Sequence, residues 1–281
     1  MLPSLPIELE PRVIPAAPPQ ATPLNDFGTV LSPSQVRTFR DCGAKWYYKY
    51  ALRLPDPPNG SLVRGRVVHQ MAEAFFRAKL DGGSPDPDDL AASFDQAWDT
   101  AAAGAAFGAD EDVDLLKRQA AMLTRKYLDE VAPEIEPAAL ELSVQGVIGG
   151  VPVRGFVDLL DTSGRVIDLK TAARKPTGIS ADYAFQLATY ARLCPGANGK
   201  ARLDTLVATK SPQVVTQEFT VSPPDRKLTE KLYPLVREAM REGIYLPNRS
   251  SNLCSYKHCA FAAVCEVEFG GRVKRSGEDL A

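Results

Sequence analysis

The segment GFVDLLDTSGRVIDLKT, residues 155–171, places two aspartates within a run of apolar residues. The letters DTSG indicate a turn that divides the segment into two strands, and Gly164 suits the left-handed position of a three-residue hairpin loop. With residues 162–164 as the loop, Asp158 lies directly opposite Asp168. Their Cβ atoms would then be about 4.5–5.5 Å apart. The segment therefore predicts a β-hairpin that brings two carboxylates together inside a sheet.

Two carboxylates in such a position require a positive charge nearby. Like charges that face each other destabilise a sheet, and burying them costs several kcal/mol without a compensating partner. Lys170 shares a strand face with Asp168, so it offsets one carboxylate. A divalent cation would offset the other, and Mg²⁺ or Mn²⁺ prefers carboxylate and carbonyl oxygens. The alternative is an exposed hairpin with ordinary surface ion pairs.

Composition places the chain among soluble globular proteins, with 44% hydrophobic and 24% charged residues. The net charge of −2 does not suggest a polyanion partner, but residues 37–66 carry seven basic and two acidic side chains. Such a local basic face can bind phosphates. No apolar stretch approaches the ~20 residues of a membrane span, and no secretory signal is visible. We therefore expect a cytoplasmic protein with no membrane partner and with reduced cysteines.

Three regions follow from the pattern of prolines and hydrophobic periodicity. Residues 1–30 are Pro-rich and are expected to form a disordered or extended arm. Residues 31–268 are expected to form a single domain, and residues 269–281 a flexible tail. Within the domain we predict a helical part at 31–135, a sheet core at 136–222, and a helix with a cysteine segment at 223–268. Helices that flank a mixed β-sheet define an α/β or α+β fold.

The individual elements follow from apolar periodicity and from capping residues. The first helix is expected to begin at Ser32 or Ser34, with Pro33 in its first turn. Further helices are predicted at 61–80, 89–103, 112–131, 180–194 and 223–242. Strands are predicted at 139–148, 151–160, 165–170, 203–210 and 214–221.

Six motifs, in this order, resemble those of the PD-(D/E)XK nuclease superfamily, in its branch of RecB-type and CRISPR-adaptation-type exonucleases. They are SPSQVRTFRDCGAKWYYKY, RGRVVHQ, GFVDLL, VIDLK, FQLATYA and CSYKHCAFAAVC. The resemblance covers residues 31–268 and implies a restriction-endonuclease-like core. The chain departs from the family pattern in lacking a proline before Asp158. It also has Asp168 where many relatives have glutamate, but neither change removes a ligand.

The resemblance implies a catalytic metal site for Mg²⁺ or Mn²⁺. The implied ligands are His69, Asp158, Asp168 and the backbone carbonyl of Leu169. Lys170 would steady the attacking water or the developing negative charge. Taken without the resemblance, a single histidine on a helix is more often structural.

Gln186 and Tyr190 are four residues apart, so they share one face of a helix. The resemblance implies that Gln186 orients Lys170 or the attacking water and that Tyr190 contacts the DNA backbone. The alternative is that Tyr190 packs in the core and Gln186 has no particular role.

The cysteines form a second candidate site. The resemblance implies a [4Fe–4S] cluster with one thiolate per iron, which would clamp the C-terminal segment onto the first helix. The implied ligands are Cys42, Cys254, Cys259 and Cys265. The alternative is Zn²⁺, with His258 in place of Cys42. Cys194 fits neither ligand set.

We therefore expect a divalent-metal-dependent DNA exonuclease that acts on single-stranded DNA ends. The basic and aromatic run at 37–53 suits backbone binding and base stacking. Because the sequence has no phosphate-binding loop motif, a helicase or recombination protein would have to supply unwinding. Recombination, repair, phage replication and CRISPR adaptation are the processes in which such an enzyme acts. A non-catalytic DNA-binding or scaffold protein of the same fold, and a structure-specific endonuclease, are the alternatives.

Overall fold

A five-stranded mixed sheet forms the centre of the fold in a computed structural model that describes residues 30–108 and 110–275. The strands are β1 (Pro137–Ile148), β2 (Val151–Asp161), β3 (Val166–Ala172), β4 (Lys200–Val207) and β5 (Gln213–Thr220). They lie side by side in chain order. Strands β3 and β4 are parallel, and every other neighbouring pair is antiparallel. The predicted mixed sheet flanked by helices is confirmed.

The helices are α1 (Pro33–Asp41), α2 (Gly43–Trp46), α3 (Gly60–Leu80), α4 (Pro87–Ala91), α5 (Phe94–Ala102), α6 (Val113–Glu130), α7 (Ala181–Leu193), α8 (Pro223–Arg241) and α9 (Ala262–Phe269). The side chain of Ser32 caps α1 by accepting a hydrogen bond from the backbone N–H of Gln35. The structure has two helices, α4 and α5, in the region where a single helix was predicted at 89–103. The prediction of one continuous helix was therefore wrong.

The segment that contains Cys42 is not one continuous helix. The backbone of Cys42 is extended, with φ −166° and ψ 109°. Its Sγ accepts a hydrogen bond from the backbone N–H of Lys45 at 3.5 Å and so caps α2. A capping residue must be non-helical for its side chain to reach that N–H, which explains the break. Cys42 therefore lies between two helices and not within one.

Helices cover both faces of the sheet. Helices α3 and α6 pack on one face, where Phe76 and Tyr127 contact Leu159 and Ile167. Helix α7 packs on the other face, where Leu187 belongs to a second cluster of buried side chains. The sheet is thus buried on both sides along most of β3 and β4, whereas the β1–β2 hairpin and the edge strand β5 carry exposed residues.

The aromatic side chains of the run at 37–53 pack inward. Trp46 and Tyr48 are fully buried, and the ring of Tyr47 stacks on that of Tyr245 with centroids 4.6 Å apart. The base stacking that we had expected from these aromatic residues does not fit this packing. The buried aromatic residues of this run belong to the core, because burial of large aromatic rings stabilises the fold.

The two ends of the chain fall mostly outside the described residues. Of the predicted arm at 1–30 only residue 30 is described, and residues 276–281 of the predicted tail are not. Residues 269–275 of that tail pack against the domain. Val273 is buried, and its backbone N–H donates to the carboxylate of Glu266 at 2.5 Å.

Among the described residues, none of the helices combines the length and the apolar character needed to span a bilayer.

Candidate active site

The β2–β3 hairpin has the predicted register. Leu159 pairs with Ile167, and Leu160 pairs with Val166. Gly164 has φ +82°, the left-handed conformation that the three-residue loop requires. The three-residue loop therefore predicted the register as far as Leu159–Ile167, but the predicted direct pairing of Asp158 with Asp168 is not formed.

The ladder between β2 and β3 ends just before the two aspartates. The last pair in register is Leu159–Ile167, so the strands separate at Asp158 and Asp168. A carboxylate oxygen of Asp158 accepts a hydrogen bond from the backbone N–H of Leu169 at 2.9 Å. The side chain of Asp158 thus projects across the opening and replaces a strand-to-strand hydrogen bond. This opening between the strands is the centre of the candidate site.

Asp168 is buried at the base of this opening, with 1% of its surface exposed. Its Oδ2 lies 2.5 Å from the Nζ of Lys170, and its Oδ1 accepts a hydrogen bond from Gln186 at 3.1 Å. Burial lowers the pKa of Lys170, but the charges of Asp168 and Asp158 outweigh burial and raise it above its usual range. Lys170 is therefore an ammonium group. The alternative of an exposed hairpin with surface ion pairs is excluded.

The free acceptor capacity of Asp168 is suited to a cation. Its Oδ2 is buried and receives no hydrogen bond of acceptable geometry, although the ammonium group of Lys170 is in ionic contact with it. The carbonyl of Leu169 also faces this region, because it accepts a hydrogen bond from the same Nζ at 3.2 Å. A carboxylate oxygen with an unused lone pair and a backbone carbonyl are the kinds of ligand that Mg²⁺ and Mn²⁺ bind.

Helix α3 brings His69 to the opening. The apolar face of α3, which includes Val68 and Ala72, is buried against the sheet, and this packing directs His69 toward the edge where β2 separates from β3. The Nδ1 of His69 lies 3.6 Å from the Oδ2 of Asp158. Both side chains are partly accessible, with 31% and 22% of their surfaces exposed. The structure thus brings His69 and Asp158 together, as the sequence predicted.

Glu141 on β1 is a member of the site that the sequence analysis missed. One ligand atom each from His69, Glu141 and Asp158 lies within 4.8 Å of the others. Partial desolvation, with the charges of Asp158 and Glu73, raises the pKa of Glu141 to about 7. Its φ is +44°, a strained conformation for a residue with a side chain.

The position of Glu141 opposite Asp158 could have been predicted from the sequence. Gly149 and Gly150 form a two-residue hairpin loop of the kind that Gly-Gly favours, and Ile148 pairs with Val151. Counting back from this loop places Glu141 opposite Asp158. The left-handed backbone of Glu141 gave no signal, because such a conformation is not favoured by glutamate and depends on tertiary packing.

Gln186 and Tyr190 differ in role from the expectation. Gln186 donates hydrogen bonds to Asp168 and to the hydroxyl of Tyr190, each at 3.1 Å, so it orients an acidic residue and not Lys170. Tyr190 is 7% exposed, and burial followed by the charge of Asp168 raises its pKa to about 12. Its ring covers Gly155 so closely that an added Cβ there would lie 2.5 Å from Cε1. The predicted contact of Tyr190 with the DNA backbone does not fit this burial, whereas core packing does.

The four predicted cysteine ligands line one cavity of about 370 Å³. Cys42 Sγ accepts hydrogen bonds from two backbone N–H groups, those of Lys45 and Asn248, at 3.5 and 3.4 Å. The guanidinium group of Arg249 lies 4.0 Å from Cys254 Sγ. Donors of this kind suit sulfur that carries negative charge. The four cysteines therefore share one cavity, in which burial raises the pKa of the thiols of Cys259 and Cys265.

The sulfur atoms of these cysteines are not gathered around one point, although all four side chains line the same cavity. Within residues 30–108 and 110–275, the one set of three candidate ligand atoms that lie within 4.8 Å of each other is the histidine and carboxylate set described above. His258, the alternative zinc ligand, is exposed and does not line the cavity. The buried Cys194 belongs to the α7 side of the core, as expected for a residue outside the ligand set.

Comparisons with known proteins agree with this geometry. A family model described as the PD-(D/E)XK nuclease superfamily matches residues 30–266. A solved structure described as "Putative exonuclease" from Eubacterium rectale has a TM-score of 0.55 and 13% sequence identity, over 87% of this chain and 94% of that chain. At this identity the likeness shows the fold alone. The solved structure of SSO0001 has a TM-score of 0.38 and 14% identity, over 75% of this chain and 86% of that chain.

A search of curated proteins finds no match. The family model covers every element that contributes to the opening between β2 and β3, and the mixed sheet flanked by helices is a restriction-endonuclease-like core. On the match over residues 30–266 and on this architecture, the chain belongs to the PD-(D/E)XK nuclease superfamily.

Proposed function

We propose that this chain is a divalent-metal-dependent DNA exonuclease of the RecB-type and CRISPR-adaptation-type branch, acting on single-stranded DNA ends. One observation supports this proposal most strongly. His69, Asp158 and the buried Asp168–Lys170 pair meet where β2 and β3 separate. The branch acts in recombination, repair, phage replication or CRISPR adaptation, with a helicase or recombination protein as the partner that unwinds DNA.

The residues at the opening would hold Mg²⁺ or Mn²⁺. The proposed ligands are His69, Asp158, Asp168 and the carbonyl of Leu169, together with Glu141. Among the described residues, the candidate ligand atoms within 4.8 Å of one another are those of His69, Glu141 and Asp158, and Asp168 is not part of that set. When bound, the cation would polarise a phosphoryl oxygen and lower the pKa of the attacking water. The clustered imidazole and carboxylates of His69, Glu141 and Asp158 are the observation that fits this role.

Lys170 would stabilise the negative charge that develops on the phosphate during hydrolysis. Its ammonium group is preorganised by Asp168 and by the carbonyl of Leu169, so little reorganisation is needed when charge develops. Gln186 holds Oδ1 of Asp168 and thereby leaves Oδ2 directed away from α7. We assign Gln186 and Tyr190 as positioning residues that act through Asp168.

The cysteine cavity would hold a [4Fe–4S] cluster with a structural role. Cys42 lies between α1 and α2, and the other three cysteines lie more than 200 residues later, around α9. A shared cluster would fasten these distant segments together. Tyr48 and Phe261 pack beside the cysteines and would shield the cluster from water.

A direct test of exonuclease activity compares two DNA substrates of the same sequence, a linear single strand and a covalently closed circle. With Mn²⁺ or Mg²⁺ we expect the linear strand to be degraded to short products, the circle to stay intact, and EDTA to stop the reaction. Asp158→Asn should remove the activity, because Asp158 spans the strand opening. Asp129→Asn, at an exposed ion pair on α6, is the matched control and should cleave normally. Nicking of the circle at a similar rate would contradict an exonuclease and support the endonuclease alternative.

Binding of Mn²⁺ to the apoprotein, measured by titration calorimetry, tests the ligand set independently of cleavage. We expect His69→Ala and Glu141→Gln each to weaken binding by more than about tenfold, since both side chains lie within reach of the same ion. Glu73→Gln is the control, because it also removes one nearby negative charge but its carboxylate is paired with Arg77. Equal affinities for Glu141→Gln and Glu73→Gln would exclude Glu141 as a ligand.

A further inference from the structure

The outer face of the β1–β2 hairpin is exposed and leads directly to the catalytic acids. Exposed and buried residues alternate along β2 up to Asp158, and along β1 from Glu141 onward. Because side chains in a strand point alternately to opposite faces, the exposed ones form one continuous surface. The exposed residues next to the acids are named the hairpin strip. They are Ser143, Gln145, Arg154 and Phe156.

Phe156 is the most unusual residue of the strip. It is 58% exposed in the middle of a strand whose opposite face is buried. It precedes Asp158 by two residues on the same face, a distance of about 6.6 Å along the strand. A ring left in water at this position gives up the stabilisation that its burial would provide. An exposed phenylalanine at this place is therefore better explained by a ligand than by the fold.

The other members of the strip have polar groups that complement a nucleic acid. Arg154 is exposed, and within the described part of the chain its guanidinium group has no ion pair. Its backbone N–H donates to the carbonyl of Leu31 at 2.9 Å, which fixes this part of β2. Gln145 pairs with Arg154, and Ser143 pairs with Phe156, so amide and hydroxyl groups flank the cation and the ring.

We propose that the hairpin strip binds the substrate strand beside the scissile phosphate, with Phe156 stacking on a base and Arg154 binding a backbone phosphate. This inference rests on the proposed nuclease function. An aromatic ring with a nearby cation is the combination by which proteins bind single-stranded nucleic acid without strict sequence preference. The strip is continuous with Asp158, whereas Trp46 and Tyr48 of the basic run are buried and unable to stack. The occupant is thus single-stranded DNA that enters along the hairpin.

The test measures binding of a fluorescein-labelled oligothymidylate by anisotropy, with EDTA present so that no strand is cut. Base stacking contributes about 1–3 kcal/mol per base, so we expect Phe156→Ala to weaken binding by about 5- to 150-fold. Phe156→Leu keeps an apolar side chain but lacks a π-face, and it should bind as weakly as Phe156→Ala. Phe156→Trp should bind at least as well as the unchanged protein. Full affinity of the leucine variant would overturn the stacking role.

Two further variants locate the effect on the strip. Val147→Ala shortens another exposed apolar side chain of the same face, farther from Asp158, and should not change the affinity. Arg154→Gln should lower the slope of log affinity against log salt by about one, as expected for one lost phosphate contact. An equal loss of affinity in the Val147→Ala variant, or an unchanged salt slope, would overturn the proposal.

The same variants distinguish DNA binding by the hairpin strip from an interface between protein copies, and they test the strip and the nuclease function separately. If Phe156→Ala changes the oligomeric state in size-exclusion chromatography but leaves DNA binding unchanged, the strip is an interface between protein copies and the proposal is overturned. If the unchanged protein binds DNA through Phe156 but cuts no DNA with Mg²⁺ or Mn²⁺, the strip is supported and the exonuclease function fails. If the unchanged protein cuts DNA but the Phe156→Ala variant binds DNA normally, the proposal for the strip is overturned and the nuclease function is supported.

Discussion

Replacing Lys170 with alanine is expected to reduce the rate of DNA cleavage by about 10²- to 10³-fold or more and to leave DNA binding largely intact. The reason is that the ammonium group is fixed 2.5 Å from Asp168 at the strand opening, where negative charge would develop on the phosphate. The rate is measured with a labelled single strand under single-turnover conditions, and binding is measured in EDTA. Cleavage unchanged by the substitution would reject the assignment of Lys170. Lost cleavage with retained binding would reject the scaffold alternative.

The Lys170→Ala variant also leaves the buried carboxylate of Asp168 without its cation. Breaking a buried ion pair in this way costs about 3–5 kcal/mol, so the thermal midpoint of unfolding is measured in parallel. In the double variant Lys170→Ala/Asp168→Asn both charges are absent, and it should recover much of the lost stability but none of the cleavage. Lys126→Ala, which removes a half-buried lysine of α6 whose ion pair with Glu130 is remote from the strand opening, should leave both stability and cleavage unchanged.

Protein purified without oxygen is expected to be brown and to contain about four iron and four sulfide per chain. The Cys42→Ser variant should lose the colour and unfold about 10–20 °C lower. This figure follows from the loop that the cluster closes: Cys42 and the C-terminal cysteines are more than 200 residues apart. A single cross-link over a loop of that length contributes about 5 kcal/mol in the chain-entropy model. Serine can still cap α2, so the substitution removes the thiolate and preserves the cap.

The control for this experiment is Cys194→Ala, which changes the buried cysteine that follows α7 and lies outside the cavity. It should keep both the colour and the iron content. A colourless protein that contains zinc would contradict the cluster and restore the alternative ligand set. Because the cysteine cavity lies beside α1, α2 and α9, loss of a cluster bound there should lower stability more than the single-turnover rate of the remaining folded protein. A normal melting temperature in the Cys42→Ser variant would contradict the structural role.

The sequence was most informative where local chemistry decides the structure. The loop at 162–164 and the alternation on either side determined the register of the β2–β3 hairpin, and the cap at Ser32 determined the start of α1. Both depend on residues within a few positions of each other. The motif order likewise predicted that His69 and Asp158 lie together, and their ligand atoms lie 3.6 Å apart.

Sequence reasoning failed where a residue's environment comes from distant segments. Tyr190 and the aromatic residues of the basic run were expected to contact DNA, but Tyr190 packs against Gly155, and Trp46 and Tyr48 of the run are buried. Hydrophobic rings look alike in a sequence whether they face a core or a ligand. Only the packing of helices on the sheet distinguishes the buried ring of Tyr190 from the exposed ring of Phe156.

By itself, the sequence determined the hairpin, the order of helices and strands, and the residue types able to bind a cation, because propensities, caps and alternation act over short distances. The tertiary structure alone decided that β2 and β3 separate at Asp158, that Glu141 joins His69 in a left-handed backbone conformation, and that Gln186 holds Asp168. These features depend on how α3 and α7 pack on opposite faces of the sheet. Such packing depends on contacts between residues that are far apart in the chain. Local sequence patterns do not predict which of these residues meet or which way their side chains point.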